Sequence, residues 1–314
     1  ASISPVEAAK YGGYETGDKG GGQKKTGKLA RRITPGSLAL MSSFRNKKKT
    51  ALTLVSLGIG GVLYMLATFW VSSTDKESYA RQGEFAYGEF VIDYSYNLVE
   101  TAENGEMELR AEHPMDGSLV GEIENIDGVE RVIPVESLPV AFETHDDDGN
   151  VRVGVVSEER AETLRNIVQE GYLSYDDMVK DDSIITTDGG VWEEVYGWKL
   201  EVGDEVAFTW YDGQQEREKS FNVCGIIDAD DFSRVSDGQP GDYTLSFLLP
   251  DVVLREMAGN AGLTGTLVVK TDADKDEQIE DGLNMLLEEY PYYSLSTLRE
   301  NILETESMFT LLFS

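Results

Sequence analysis

The stretch GGGQKKTGKL, residues 20–29, carries the spacing closest to nucleotide chemistry in this chain. From Gly22 it reads G-x-x-x-x-G-K, closing on Gly27 and Lys28. A phosphate-binding loop of that form needs a strand to deliver the glycines and a helix N-terminus to receive the phosphates. It also needs a Ser or Thr after the lysine to hold Mg²⁺. Leu29 stands where the hydroxyl belongs, and the preceding YGGYETGDKGG has no apolar run for a buried strand. Gly, Lys, Gln and Thr dominate instead, which is the composition of a solvated linker.

Metal and acid–base chemistry fare no better. His113 and His145 stand apart, with no second His or Cys at zinc spacing. DADKDE at 272–277 begins like a calcium loop, but Glu277 replaces the glycine needed at the sixth position and Leu283 the bidentate Glu at the twelfth. DADDFSRVSDGQ at 228–239 ends on Gln239 and fails in the same way, while HDDDGN at 145–150 reads as a polar hairpin turn. An adventitious calcium ion at these loops stays open. No serine sits in a G-x-S-x-G elbow, and the single cysteine, Cys224, has no evident His partner. In the apolar FNVCGII, Cys224 reads as a small buried hydrophobe, and it cannot form an internal disulfide. The expectation is therefore no catalytic residue, no metal ligand, no cofactor site and no enzyme.

The elements that organise these residues follow from charge. Residues 1–50 carry eleven Lys/Arg against three Asp/Glu, and residues 74–314 sixteen against fifty-five, a net +8 followed by a net −39. Between them, Ala51–Ser73 contains no charge in 23 residues. At about 1.5 Å per residue this run reaches roughly 35 Å, enough for a hydrocarbon core of about 30 Å. A buried core helix would be expected to show a polar stripe, and none appears. Gly58, Gly60 and Gly61 suit close helix packing in a membrane rather than ligand binding. Arg45, Lys47, Lys48 and Lys49 precede the run, whereas Asp75 and Glu77 follow it. By the bias of Lys and Arg toward the cytoplasmic end of a span, residues 1–50 face the cytoplasm and the acidic remainder lies outside. That bias accounts for the basic segment without a nucleic-acid partner. A second apolar run begins at Met308, Phe309, Leu311, Leu312 and Phe313, so a second span is expected there, and the chain reads as a piece of a larger membrane protein.

The external part reads as α+β. GEFVIDYSYN alternates, with Phe90, Ile92, Tyr94 and Tyr96 on one face, and predicts a strand. DGSLVGEIENIDG predicts a helix burying Leu119, Val120, Ile123 and Ile126 and closed by Gly128, and VERVIPVESLPVAF a returning strand. The order recurs in TGTLVVKT, in a helix carrying Ile279, Leu283, Leu286, Leu287 and Tyr290 with Asp274 and Glu277 as cap, and in PYYSLST. Two β-α-β units with different material between them predict a split α+β sandwich with an inserted mixed subdomain. In that insert, SEERAETLRNIVQEGYL reads as helix, DSIITTD and SFNVCGIID as strands. VWEEVYGWKLEVGDEVAFTW passes from helix to strand through the turn Val202–Gly203–Asp204. The boundaries are a basic segment and linker at 1–50, a transmembrane helix at 51–73, a first β-α-β part at 74–145, the insert at 146–261, a second β-α-β part at 262–297, and a stalk helix entering a second span at 298–314. Thr297 and Glu300 form a capping box for that stalk.

The layout resembles a known family. ISPVEAAKY at 3–11 is similar to the segment after the last span of an FtsX-like permease repeat, and LALMSSFRNKKKTALTLVSLGIGGVL to the start of the next repeat. WKLEVGDEVAF with SFNVCGIID resembles the central part of a MacB-type periplasmic core domain. LVVKTDADKDEQIEDGLNMLLEEYPYYSLSTLRENI resembles its closing β-α-β unit and stalk. The Gly-rich linker at 12–28 and the acidic loops depart from the pattern. The resemblance implies the membrane (permease) subunit of an ABC transporter, multi-pass in the cell membrane. It would be driven by a separate cytoplasmic ATPase and would move an external domain toward a peptide, lipoprotein or cell-wall protein, with no nucleic acid involved. VSDGQ at 235–239 echoes the LSGGQ signature of such ATPases but departs at Val235 and Asp237, and it lies outside, away from GGGQKKTGKL. A sensor receptor, with a mixed α/β domain between two spans, is the alternative. It would continue into a signalling helix and a catalytic domain rather than into further spans.

Overall fold

The computed structural model describes residues 47–73, 75–143, 148–188, 199–228, 231–232, 245–272 and 275–312. GGGQKKTGKL, ISPVEAAKY, His145, Asp274, the expected helix over 191–198 and VSDGQ lie outside those residues. The chain divides into two units, Ala1–Leu66 and Ala67–Ser314.

Helix α1, Lys47–Ser73, is the one helix among the described residues long and apolar enough to cross a membrane, over Lys48–Phe69. Its large apolar side chains, Leu52, Leu57 and Phe69 among them, are exposed all round. That is the surface lipid would cover rather than the one-sided stripe of a soluble amphipathic helix.

The second unit takes in the last turns of α1 and continues with a short helix α2, Lys76–Ala80, capped by Asp75, whose Oδ1 accepts from the Ser78 amide. Strand β1, Phe90–Tyr94, is followed by three short helices: α3, Tyr96–Thr101; α4, Gly105–Glu112; and α5, Gly117–Glu124. The Asp116 carboxylate caps α5 through the amides of Ser118 and Leu119, and Leu119 and Ile123 are buried. Gly128, at φ +100°, turns the chain into β2, Val129–Glu143. The closing unit is β9, Thr264–Thr271; helix α9, Asp276–Leu287; and β10, Tyr293–Thr297. The strands of these two units interleave as β10-β1-β9-β2, every pair antiparallel. Each β-α-β unit therefore spans a strand of the other, a split βαβ arrangement. Helices α5 and α9 cover one face, where Ile92, Ile123, Leu267, Ile279 and Leu283 are fully buried.

Strand β2 does not stop at the edge of this sheet. Its first half pairs with β9, and from Ser137 onward it pairs with β3, Asp148–Val156, and with β6, Glu205–Tyr211. The remaining strands are β4, Val168–Gly171; β5, Ser183–Asp188; β7, Glu216–Asp228; and β8, Leu245–Pro250, with helix α7, Tyr175–Lys180, between β4 and β5. Pairings β2–β3, β3–β8, β8–β5, β5–β7, β7–β6 and β6–β2 return to their start, so six strands close into a small barrel with β4 appended to β7. Closure leaves those six strands without an open edge. Phe208, Phe221 and Phe247 fill the interior, and helix α8, Asp251–Ala258, plugs it with Leu254. The Trp210 indole donates to the Met257 carbonyl at 2.7 Å.

Several expectations need correction. Tyr96 is not on the β1 face: the strand ends at Tyr94, and Tyr96 opens α3 with 70% of its surface exposed. SEERAETLRNIVQEGYL is not one helix. Helix α6, Glu158–Leu164, gives way to a 3-10 turn and then to β4, because Val168–Gly171 finds backbone partners on β7. Helix α9 starts after Lys275, whose side chain makes no cap bond. The last helix, α10, Leu298–Leu312, takes one half of the expected capping box, the Glu300 amide donating to Thr297 Oγ1 at 3.1 Å.

Candidate functional site

Where β2 passes from sheet to barrel, its backbone register shifts between Val135 and Glu136. Such irregularities leave carbonyls aimed out of the ladder. Helix α4 supplies the donor. Arg110 is fully buried, and its Nη1 donates to the carbonyls of Ser137, at 2.6 Å, and Leu263, at 2.9 Å. Its Nε donates to Glu106 Oε1 at 2.9 Å, one helical turn back. The other oxygen of Glu106 accepts from Arg152 Nη2 of β3 at 2.6 Å, and Arg152 Nη1 reaches Ser137 Oγ at 3.2 Å. One carboxylate thus holds two guanidiniums, one from the sheet lobe and one from the barrel. Burial pushes the Glu106 pKa up, but Arg110 and Arg152 outweigh it and hold the carboxyl below its ordinary value. Leaving either charge unpaired there would cost several kcal/mol, on the order of 3–5.

On the sheet face opposite helices α5 and α9, a cleft of about 780 Å³ opens toward the barrel. Its floor is a polar row across three strands, since Asp93 of β1 stands directly opposite Ser294 of β10 and Thr266 of β9. Thr266 Oγ1 donates to Asp93 Oδ1, and Ser294 Oγ donates to the Asp93 carbonyl at 3.5 Å. Burial raises the pKa of Asp93 above its ordinary value, against the Thr266 bond, and Glu84 and Glu106 add to the rise. The barrel wall contributes Arg152, Arg160 and Arg255. Arg255 forks onto Glu136 at 3.3 and 3.2 Å, and Arg160 donates to the Val155 carbonyl at 3.0 Å and lies over the Phe232 ring. Asp251 accepts from the Tyr175 hydroxyl. The arrangement can bind and orient a ligand.

The residues weighed from sequence lie elsewhere. His113 stacks flat on Tyr292, rings 3.4 Å apart, while its carbonyl accepts from the hydroxyls of Tyr94 and Tyr293. Burial pushes the Tyr94 phenol up to about 12. The Cys224 thiol is buried and donates to the Ile184 carbonyl at 3.2 Å, with its pKa pushed up to about 11 by burial. It is a core side chain. Among the described residues no group of three or more His, Cys, Asp or Glu side chains could hold a metal ion. Neither Asp93 nor Arg110 was singled out by sequence. The alternation of FVIDY does put Asp93 opposite Phe90, Ile92 and Tyr94, and the Glu106–Arg110 spacing of four is a visible pairing signal.

The ends of the unit meet. Helix α2 packs against α10, with Tyr79 and Phe309 edge to face at 5.6 Å and Asn301 Nδ2 donating to the Ala80 carbonyl at 2.7 Å.

No family model matches the chain, and no curated protein matches it. Among solved structures it is similar to the periplasmic region of MacB from Actinobacillus actinomycetemcomitans, at 14% identity and a TM-score of 0.34, over 70% of this chain and 93% of that one. It is also similar to the extracellular domain of the noncanonic ABC-type transporter YknZ from Gram-positive bacteria, at 15% identity and 0.31, over 67% and 100%. At those scores the likeness carries no argument about function.

Proposed function

We propose that this chain is part of the membrane subunit of an ABC-type transporter, coupling ATP hydrolysis by a separate cytoplasmic ATPase to motion of the external domain. The observation that carries the reading is the α2–α10 contact. The chain enters the domain just after an uncharged helix flanked by Lys47, Lys48 and Lys49, and leaves it beside the entry point on a helix that turns apolar at Met308 and Leu311. A second span following α10 would fit that composition, with residues 1–50 cytoplasmic and residues 74–300 outside in a multi-pass protein. The order of segments resembling an FtsX-like permease repeat and a MacB-type core domain supports the same reading. The chain itself would do no bond-making chemistry, and the nucleotide site would belong to the partner. What it acts on outside would be a peptide, a lipoprotein or a cell-wall protein.

The test is purification of the full-length protein from its native membrane with mass spectrometry of what accompanies it. A stoichiometric ABC-type ATPase is the expected result. A histidine kinase or response regulator without any ATPase would overturn the reading in favour of a sensor.

A further inference from the structure

We infer that the cleft between sheet and barrel binds a ligand bearing a protonated amine on an apolar body, with the ammonium seated on Asp93. The inference goes beyond the transporter reading and does not depend on an ATPase. Its starting point is the charge in the cleft, which five carboxylates and three guanidiniums line, with Arg152 and Arg255 of the barrel side held in ion pairs. Glu106 takes Arg110 and Arg152, and Glu136 takes Arg255. Asp93 is the exception at the centre of the floor. Among the described residues no Lys, Arg or His pairs with it, and the hydroxyl of Thr266 is its side-chain partner. A carboxylate desolvated on a sheet without a cation is costly, and proteins hold such groups paired or neutralised.

The neighbours fix the sign of what would fill it. Asp93 is itself the anionic group on the floor, and Glu84 and Glu106 add to the negative side of its surroundings while Arg152 opposes them. An anion is therefore repelled from the floor, and a cation is attracted. A hard metal ion would want several oxygen ligands at once, and one carboxylate with one hydroxyl does not supply them. An ammonium has three donors, which Asp93 and the hydroxyls of Thr266 and Ser294 can accept. Around this polar row lie Val99, Val155 and the exposed ring of Tyr96, which suit an alkyl chain and can place an aromatic face beside the charge. A lysine side chain or a free N-terminus presented by a peptide has this chemistry.

The test uses the full chain in nanodiscs of phosphatidylcholine with monodansylcadaverine as probe, read by fluorescence anisotropy against empty discs. Saturable binding is expected, absent for the N-acetylated, uncharged probe. Asp93→Asn should weaken it by about tenfold or more, the scale of removing one member of a desolvated charge pair. Asp281→Asn, at an exposed acid outside the cleft, should leave it unchanged. Ser294→Lys, at an exposed position opposite Asp93, should block the site with an internal ammonium and so provides an independent readout. Binding that survives both Asp93→Asn and Ser294→Lys, or that falls equally in Asp281→Asn, would overturn the proposal. So would equal binding of the acetylated probe.

Discussion

The guanidinium of Arg110 occupies the place a side chain on Gly265 would take. A Cβ at residue 265 would lie 2.0 Å from Arg110 Nη2 and 2.6 Å from Glu106 Oε1. Because Arg110 is held by two main-chain carbonyls as well as by Glu106, it has nowhere to withdraw without leaving a buried charge unpaired. Gly265→Ala should therefore behave like the loss of the ion pair, at about 3 kcal/mol or more. For a unit of this size that corresponds to a fall of roughly 6–12 °C in melting temperature, measured by thermal unfolding in nanodiscs. An unchanged melting temperature would mean that Arg110 can leave its pocket freely.

The triad itself should show the asymmetry of buried charge. Glu106→Gln leaves two guanidiniums facing each other, one of them fully buried, and should cost about 3–5 kcal/mol. The double variant Glu106→Leu with Arg110→Met removes the buried pair together and should cost less than that single change. The pH dependence has a fixed sign. The folded pKa of Glu106 lies below its ordinary value, so its contribution is complete above the unfolded value of about 4.3 and is lost as pH falls through the folded pKa. An acid titration of the melting temperature, wild type against Glu106→Gln, should converge at the acidic end.

What was readable in the sequence, and what was not, divides along the range of the forces. The uncharged run over 51–73, the alternating TGTLVVKT and the 3.6-residue spacing of Ile279 and Leu283 are local patterns, and each sits on the corresponding element. The break at Leu164 is not local. Val168–Gly171 is drawn into a strand by partners on β7 more than fifty residues away, and Gly171 at φ +77° lies so near the Cys224 carbonyl that a Cβ would clash. Closure of the barrel through β2–β6 and β6–β7 is likewise invisible to periodicity, which says that a strand has a buried face but not which strand lies beside it. The cleft follows the same division. Alternation in FVIDY places Asp93 on the face away from Ile92, but only the order β10-β1-β9 brings Ser294 and Thr266 to its two sides.

Asp93 should oppose stability where Glu106 supports it. Its folded pKa is raised, first by burial, so stability is fully present below the unfolded value of about 3.9 and is lost as pH rises through the folded pKa. Asp93→Asn keeps the shape and an acceptor for Thr266 while removing the charge. It should melt at a higher temperature than wild type at pH 7, with the difference vanishing below about pH 4. A variant less stable than wild type at neutral pH would mean that Asp93 has a cationic partner in the free protein.

Charge on residues 74–314 predicts a salt response. Residues 74–314 carry fifty-five acids against sixteen bases, and such a net charge destabilises a compact state by self-repulsion. Raising NaCl from about 0.1 M to about 1 M shortens the screening length from roughly 10 Å to roughly 3 Å. The melting temperature should rise across that range. The Arg255–Glu136 and Arg299–Glu280 pairs, both with exposed arginines, would weaken over the same range. They are worth about 1 kcal/mol or less apiece, so relief of repulsion should win.

The contact between Tyr79 and Phe309 ties helix α2 to α10, the last helix of the second unit, and a double-mutant cycle can measure it. Phe309 is buried and Tyr79 half exposed, their rings at 81° to one another, so the pair joins apolar burial to an edge-to-face geometry. Tyr79→Ala and Phe309→Ala should each destabilise the protein, Phe309→Ala more, by up to about 3 kcal/mol. Their effects should fall short of additivity by about 0.5–1.5 kcal/mol, the worth of the ring pair itself. The Asn301 bond to the Ala80 carbonyl lies on the same two helices, and Asn301→Ala should couple to both changes. If the proposed transporter reading holds and the α2–α10 contact transmits motion, Phe309→Ala should also lower ATP-dependent change between barrel and sheet, read by a fluorophore pair on the two, while the proposed ATPase partner still copurifies. Full additivity of Tyr79→Ala and Phe309→Ala would show that the two helices lie side by side without holding each other.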